Sequence, residues 1–337
     1  RCCSASDFDG DTSQATSIMT TCTPMVSVVI PAHNAQSHLP ECLASVIRQA
    51  GDFMLEIIVV DDGSTDATAD IARQWENIKC LTQCNRGPSA ARNTGIAEAQ
   101  GEFIALLDAD DLWPAGKLAA QLRVLQQHPE AAMVFGDCRQ FDDGGPWLRT
   151  QFERGGLGHA AWGPVPVLHD AYPRLLRDNF ITTGSVVLRR AVLTEVGGFA
   201  EDLRLVEDLD LWLRIAGGYP IAWCGDVCLL RRRHAANTSR DPQAMGLAFI
   251  EVLHRQIGSD RSQTDTLART LNRLVANEYF HLCELALGQG QLSLGIRRAW
   301  QGLGTRPGPQ SLWCIGKAAA RLLASRRGRA RQRRTDG

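Results

Sequence analysis

Short apolar runs alternate with amphipathic stretches through the first part of the chain, and several of the runs stop at a polar cluster. Val26–Ile30, Leu55–Val60, Ile78–Leu81, Phe103–Leu107 and Ala132–Phe135 are the length and composition of buried strands. Between them apolar residues return at helical spacing. Leu39, Leu43, Val46 and Ile47 mark one helix, and Ile71 and Trp75 mark a second over 67–75 with Asp66 as its N-cap. A third opens at Ser89 and runs through Ala99 to a stop at Gly101; a fourth, Leu118–Gln127, stops before Pro129. This alternation predicts an α/β fold, a mostly parallel sheet with helices on both faces.

The pattern changes twice. Over 142–170, Gly144, Gly145, Gly155, Gly156, Gly158 and Gly163 with three prolines read as a long loop covering the site. Thr183–Leu188, Ile221–Trp223 and Val227–Leu230 then read as strands and Glu207–Ala216 as a helix. Beyond His234 only helical spacing remains, over Leu247–Ile257, Leu267–Leu287 and Leu292–Leu303. The chain therefore divides into a disordered segment 1–24, an α/β domain 25–240 and a helical C-terminal segment 241–337, with Met25 as the natural start of the folded part.

Composition narrows the partners. The 337 residues carry a net charge of −1, which argues against a general nucleic-acid binder. The balance is uneven, because Lys317, Arg321, Arg326, Arg327, Arg329, Arg331, Arg333 and Arg334 concentrate positive charge at the end. Beside Leu312, Trp313 and Ile315, this tail predicts attachment to an anionic membrane surface. No apolar run approaches the roughly 18 residues that span a bilayer, and the start lacks the order of a signal peptide. The 11 cysteines are scattered, and Cys80/Cys84 and Cys224/Cys228 lack zinc-knuckle spacing, so packed thiols in a reducing cytoplasm are expected.

The polar clusters carry the chemistry. Asp108-Ala109-Asp110-Asp111 places three carboxylates at a strand end, where their repulsion asks for a divalent cation and a phosphorylated ligand. Asp61-Asp62-Gly63-Ser64 ends the second strand and could accept hydrogen bonds from a base or ribose; an Asx turn needs only one of its acids. Asn85-Arg86-Gly87 leads into a helix whose free amides suit an anion, and Arg92 could neutralise a phosphate. Glu207-Asp208-Leu209-Asp210 opens another helix, either complementing its dipole or supplying a general base. Arg231-Arg232-Arg233-His234, with Asn237 and Ser239, offers a metal ligand and phosphate contacts.

Together these stretches resemble glycosyltransferase family 2, of the GT-A fold. The likeness rests on Val28-Val29-Ile30-Pro31-Ala32-His33-Asn34, Val59-Val60-Asp61-Asp62-Gly63-Ser64-Thr65-Asp66, Asn85-Arg86-Gly87 with Ala91-Arg92-Asn93, Leu107-Asp108-Ala109-Asp110-Asp111, Val196-Gly197-Gly198-Phe199 and Glu207-Asp208-Leu209-Asp210-Leu211-Trp212. The resemblance implies a Rossmann-like sheet and an inverting transfer from a nucleotide sugar, a UDP-sugar favoured, to a carbohydrate or lipid-linked acceptor in surface polysaccharide or glycolipid synthesis. It implies base contacts at Pro31, Ala32, His33 and Asp62, ribose contacts at Asp108 and Ala109, Mn²⁺ or Mg²⁺ on Asp110 with His234 near it, and Asp208 as catalytic base. His33 stands where the family more often has Tyr. The Gln-x-x-Arg-Trp run of processive synthases is absent, which implies transfer of a single sugar. A nucleotidyltransferase would be expected to carry a Gly-rich basic loop after the first strand, and Pro31-Ala32-His33-Asn34 is not one; a non-catalytic nucleotide-sugar binder is the remaining alternative. The expected location is the cytoplasm, at the inner face of the plasma membrane.

Overall fold

A computed structural model describes residues 25–142, 144–157, 162–163, 165–234, 241–258 and 265–308, together with Thr23, Trp313 and Gly316. The expected disorder of 1–24, the roles of Asn237 and Ser239 and the membrane contact of the basic tail therefore fall on residues that, but for those three, lie outside the described ones. The first half runs β1 (Met25–Ala32), α1 (Leu39–Ile47), β2 (Met54–Asp62), α2 (Thr68–Arg73), β3 (Ile78–Gln83), α3 (Pro88–Glu98), β4 (Phe103–Leu106), α4 (Lys117–Gln127) and β5 (Met133–Asp142). It continues with β6 (Gly145–Pro146), α5 (Gln151–Arg154), β7 (Val167–Leu168), α6 (Ala171–Leu175), a 3₁₀ turn Thr183–Ser185, β8 (Val187–Arg189), α7 (Arg190–Val196), α8 (Glu207–Ala216) and β9 (Ile221–Arg232). The helices α9 (Pro242–Ile257), α10 (Asp265–Gly288) and α11 (Leu292–Thr305) follow.

The strands form one sheet in the order β3-β2-β1-β4-β8-β5-β9-β7, with β6 paired to β5. β3, β2, β1 and β4 are mutually parallel, and β8 runs against both β4 and β5, so β5 and its parallel neighbour β9 share the direction of β4. The central strands are buried on both faces, which is why they read as continuous apolar runs rather than alternating ones. Val28, Ile30, Ile57 and Val59 face α1 and α4 through Leu39, Leu43, Leu118 and Leu122. Val29, Ile58, Val60, Ile104 and Leu106 belong to the opposite layer with Ala91 of α3 and Leu209 and Trp212 of α8. The approach of α3 is close: a Cβ at Gly95 would lie 2.4 Å from Val29 Cγ1, so only glycine fits.

Three expectations change. The 142–170 segment is no loose cover, since Phe152 and Trp162 are buried and pack on Phe135 and Phe180 as an aromatic cluster. Its helix α5 is opened by a capping box of Thr150 and Glu153; the two buried aromatics lie too far apart to register as a period. The two strands expected over 221–230 are one, because the Gly225-Asp226 break is absorbed by register shifts opposite Gly136–Cys138. The strand expected from Thr183 begins instead as a 3₁₀ turn. The C-terminal helices form as read. Ile250 and Leu253 of α9 and Leu271 and Val275 of α10 join the same core as the sheet, while α11 packs on α10 around Phe280 and Ala299.

Lys117 is the unusual member of this core. It is 2% exposed, its Nζ donates to Val186 O at 3.3 Å and lies 3.9 Å from the Trp113 ring, and among the described residues no carboxylate pairs with it. Burial pulls its pKa down to about 7. The unfolded chain holds this proton to about 10.4, so stability should rise with pH between about 7 and that value. Replacing Lys117 by Met is expected to raise the melting temperature at pH 7, with the advantage over the parent shrinking towards pH 10. Equal melting curves for the two proteins across that range would refute the account.

Candidate active site

β1, β2, β4, β5 and β9 all present their carboxyl ends at one edge of the sheet, the edge at which ligands bind in open α/β folds. Four of the polar clusters gather there. Pro31 and Ala32 close β1 and are buried, whereas His33 is exposed. His33 Nδ1 lies 2.9 Å from Asp62 O; a carbonyl only accepts, so the proton sits on Nδ1. Nε2 is then an acceptor, with Asn34 Nδ2 at 3.2 Å and Asn85 Nδ2 at 3.3 Å.

Asp62 is 3% exposed, and both of its oxygens are engaged. Oδ1 accepts from Gln83 Nε2 at 2.8 Å and Arg86 N at 2.9 Å, and Oδ2 accepts from Gly87 N at 2.7 Å. Two of the amides expected to receive an external anion thus receive the protein's own carboxylate, and the 85–87 loop is fixed to the end of β2. Gly87, with φ of 91°, supplies the turn into α3 that directs them inward. Asp61 Oδ1 accepts from Ser64 N at 3.3 Å, and the Asx turn falls at Asp66, whose Oδ1 accepts from Thr68 N at 3.0 Å.

Arg92 also departs from expectation. It is 4% exposed and bonds Asp108 Oδ1 and Glu207 Oε1, each at 2.8 Å, rather than facing outward for a phosphate. Burial alone would lower its pKa, but the two carboxylates raise it and keep the guanidinium charged. The physical reason is position: Arg92 lies one turn inside α3, on the face packed between β4 and α8, where it is the counter-ion both acids need.

Beside Asp108, Ala109 is buried in the core. Asp111 is buried too, accepting from Arg232 N at 2.8 Å; burial and the charges of Asp110 and Asp108 push its carboxyl well up. Asp110 remains accessible, with Oδ2 2.8 Å from His234 Nε2 and both side chains about 30% exposed. Mutual backbone bonds between Leu112 and Leu230, 3.0 and 2.9 Å, hold the acid cluster against β9 and bring His234 to Asp110. One carboxylate oxygen and one imidazole nitrogen, among acids with excess negative charge, are a donor set that fits a small divalent cation. Among the described residues no group of three or more such side chains forms a complete cation site, so the remaining positions would fall to ligand and water.

The three acids opening α8 have separate partners. Val206, a β-branched residue with φ of 52°, turns the chain into this helix. Glu207 grips Arg92, and Asp210, on the side of the helix away from Asp208, grips Arg214 at 3.0 Å. Asp208 makes no ion pair among the described residues. Its Oδ1 accepts from Leu209 N at 2.7 Å and Asn179 Nδ2 at 3.3 Å, and its Oδ2 from Thr183 Oγ1 at 3.0 Å. Burial, then the Glu207 charge, raises its pKa to about 6. The sequence does not single out Asn179 and Thr183; the available signal is the polar Thr182-Thr183-Gly184-Ser185 run at the start of an expected strand. A cavity of about 690 Å³ lined by Glu195, Asp210, Arg214, Tyr219 and Arg255 opens on the other face of α8 and is separate from this arrangement.

Residues 27–197 match the family model described as glycosyl transferase family 2. The chain is 37% identical over 225 residues to the "Putative teichuronic acid biosynthesis glycosyltransferase TuaG" of Bacillus subtilis, covering 65% of this chain and 83% of that protein. It spans only 36% of the length of the glycosyltransferases it matches in Rickettsia felis and Rickettsia conorii. Among solved structures it is similar to S. aureus TarS 1–349 in complex with UDP-GlcNAc, with a TM-score of 0.63, 18% identity and 88% of each chain covered. It is likewise similar to the mannosyltransferase PcManGT of Pyrobaculum calidifontis in complex with GDP-Man and Mn²⁺, with a TM-score of 0.56, 20% identity and coverage of 90% of this chain and 87% of the other.

Proposed function

The chain belongs to glycosyl transferase family 2, and on that premise we propose that it is an inverting enzyme moving one sugar from a nucleotide-sugar donor, a UDP-sugar favoured, to an acceptor hydroxyl. The observation that carries this reading is Asp208: a carboxylate at the site, free of any ion pair among the described residues, with a pKa of about 6. Such a group is largely ionised at neutral pH yet basic enough to take a proton. In the proposed step Asp208 accepts the acceptor's hydroxyl proton as that oxygen bonds to the anomeric carbon. The bond to the nucleoside diphosphate breaks on the opposite face, and the leaving group departs with the electron pair.

The donor would lie along the strand ends, its base against Pro31, Ala32 and His33 with Asp62 shaping the adjoining loop, its ribose at Asp108 and Ala109. Arg92 would serve the donor by holding Asp108 in place. Asp110 and His234 would hold Mn²⁺ or Mg²⁺; when bound, the cation would neutralise charge on the diphosphate. The description of TuaG favours an acceptor from surface polysaccharide synthesis, carbohydrate or lipid-linked. No helix among the described residues is long and apolar enough to cross a membrane; the basic tail would attach the protein peripherally to the inner face of the plasma membrane.

The test is a thermal-shift screen of UDP- and GDP-sugars with Mn²⁺, Mg²⁺ or EDTA. A donor at a hundredfold excess over its Kd stabilises by about 2.7 kcal/mol, so one nucleotide sugar should raise the melting temperature by several degrees, and only with a divalent cation. Absence of a shift with every donor and cation would remove the nucleotide-sugar reading.

A further inference from the structure

We propose that Thr183 and Asn179 are positioning residues for the base, orienting the Asp208 carboxylate and favouring its ionised form; the proposal rests on the reading of Asp208 as the base. The two side chains stand four residues apart on the stretch that leads into the 3₁₀ turn and meet opposite oxygens, Thr183 Oγ1 on Oδ2 at 3.0 Å and Asn179 Nδ2 on Oδ1 at 3.3 Å. The Leu209 amide takes a further place on Oδ1 at 2.7 Å. Oδ2, with one donor, keeps a lone pair for a reacting hydroxyl.

Thr183 is itself held firmly. Its 3₁₀ turn accepts Trp113 Nε1 at Gly184 O, 2.8 Å, and Gln121 Nε2 at Ser185 O, 2.8 Å, and Ser185 Oγ closes back on Thr182 O at 2.7 Å. Lys117 reaches Val186 O just beyond. The turn also lies hard against β9: a Cβ at Gly184 would be 2.7 Å from Leu229 Cδ1. Trp113 stands two residues after Asp111, so the loop bearing the acid cluster also fixes the turn bearing Thr183. Asn179 is set by its neighbour Phe180, buried in the aromatic cluster.

The charges facing Asp208 are Glu207 on its own helix and Arg92 from α3, the latter shared with Asp108. Burial and Glu207 favour the protonated carboxyl, while the Leu209 amide, the Thr183 hydroxyl and Arg92 oppose them. Removing the Thr183 hydroxyl takes away one of the bonds that favour the ionised form, so the base should hold its proton to a higher pH.

The experiment is the pH profile of kcat/KM for hydrolysis of the nucleotide sugar selected by the thermal-shift screen, in its preferred cation, for the parent, T183V, T183S and N179A, with the Kd for that donor measured alongside. T183V keeps the side-chain shape without the donor. Its acidic limb should move up by about one pH unit, with the donor Kd unchanged; T183S should restore the parent profile and N179A should shift it the same way by less. Limbs of T183V and N179A that coincide with the parent's would overturn the proposal. If T183V does not fold, N179A decides, because its side chain is only half-buried. D208N in the same assay separates the two ideas: an active D208N defeats the base reading and this proposal with it. An inactive D208N with unmoved T183V and N179A limbs defeats the positioning role alone.

Discussion

Replacing Asp208 by Asn is expected to lower turnover by about a hundred- to ten-thousand-fold, the usual loss for a general base, while leaving donor affinity nearly unchanged. Asn retains the shape, and the bonds of Glu207 to Arg92 and of Asp210 to Arg214 stay in place. Those two pairs also exclude the obvious substitutes: each neighbouring acid is bound to an arginine and would have to release it to accept a proton. Initial rates and donor titration on the same preparation decide the matter. Turnover close to the parent's would reduce Asp208 to an acid that merely complements a helix dipole.

Replacing Asp110 by Ala should cost at least about a hundredfold in Mn²⁺-dependent affinity for UDP, in line with the sensitivity of metal sites to their ligands and supporting groups. The fold should survive, because Asp110 contributes structurally through its backbone, whose carbonyl accepts from Arg232 Nε at 3.0 Å. Its side chain bonds only to His234 among the contacts described. UDP titration with Mn²⁺ and with EDTA is the measurement. Equal binding by parent and variant in Mn²⁺ would show that the cation, if used, is held elsewhere.

The sheet was readable because burial on both faces leaves unbroken apolar runs, and the C-terminal helices because long amphipathic periods are hard to mistake. The gathering of Asp62, Asp108, Asp110 and His234 at one edge followed from strand direction alone. What escaped depended on pairing across the fold. Nothing local distinguishes an arginine facing solvent from one, like Arg92, lodged between acids 16 positions ahead and 115 positions ahead. Likewise nothing in the letters around Asp62 shows that it takes the amides of its own neighbouring loop. Asn179 and Thr183 lack any pattern, since their meaning comes only from the helix start brought against them. The bulged β9 and the docked 142–170 segment failed for a related reason: glycine and proline mark breaks in regularity, and tertiary packing decides whether a break becomes a loop, a bulge or a buried corner.

The Arg92 bridge has a consequence for how catalysis is shared between folding and turnover. One guanidinium fastens the start of α8 to the end of β4, and the Trp113–Gly184 bond fastens the opposite flank. The two sides of the cleft are therefore strapped together before any substrate arrives. Reorganisation that an unassembled site would repeat in every cycle is here met once, when the chain folds. The cost appears as lower tolerance to mutation: deleting Arg92 strands the largely buried Glu207 carboxylate and takes the partner from Asp108. Residues with no direct part in the chemistry then become as immutable as those that perform it.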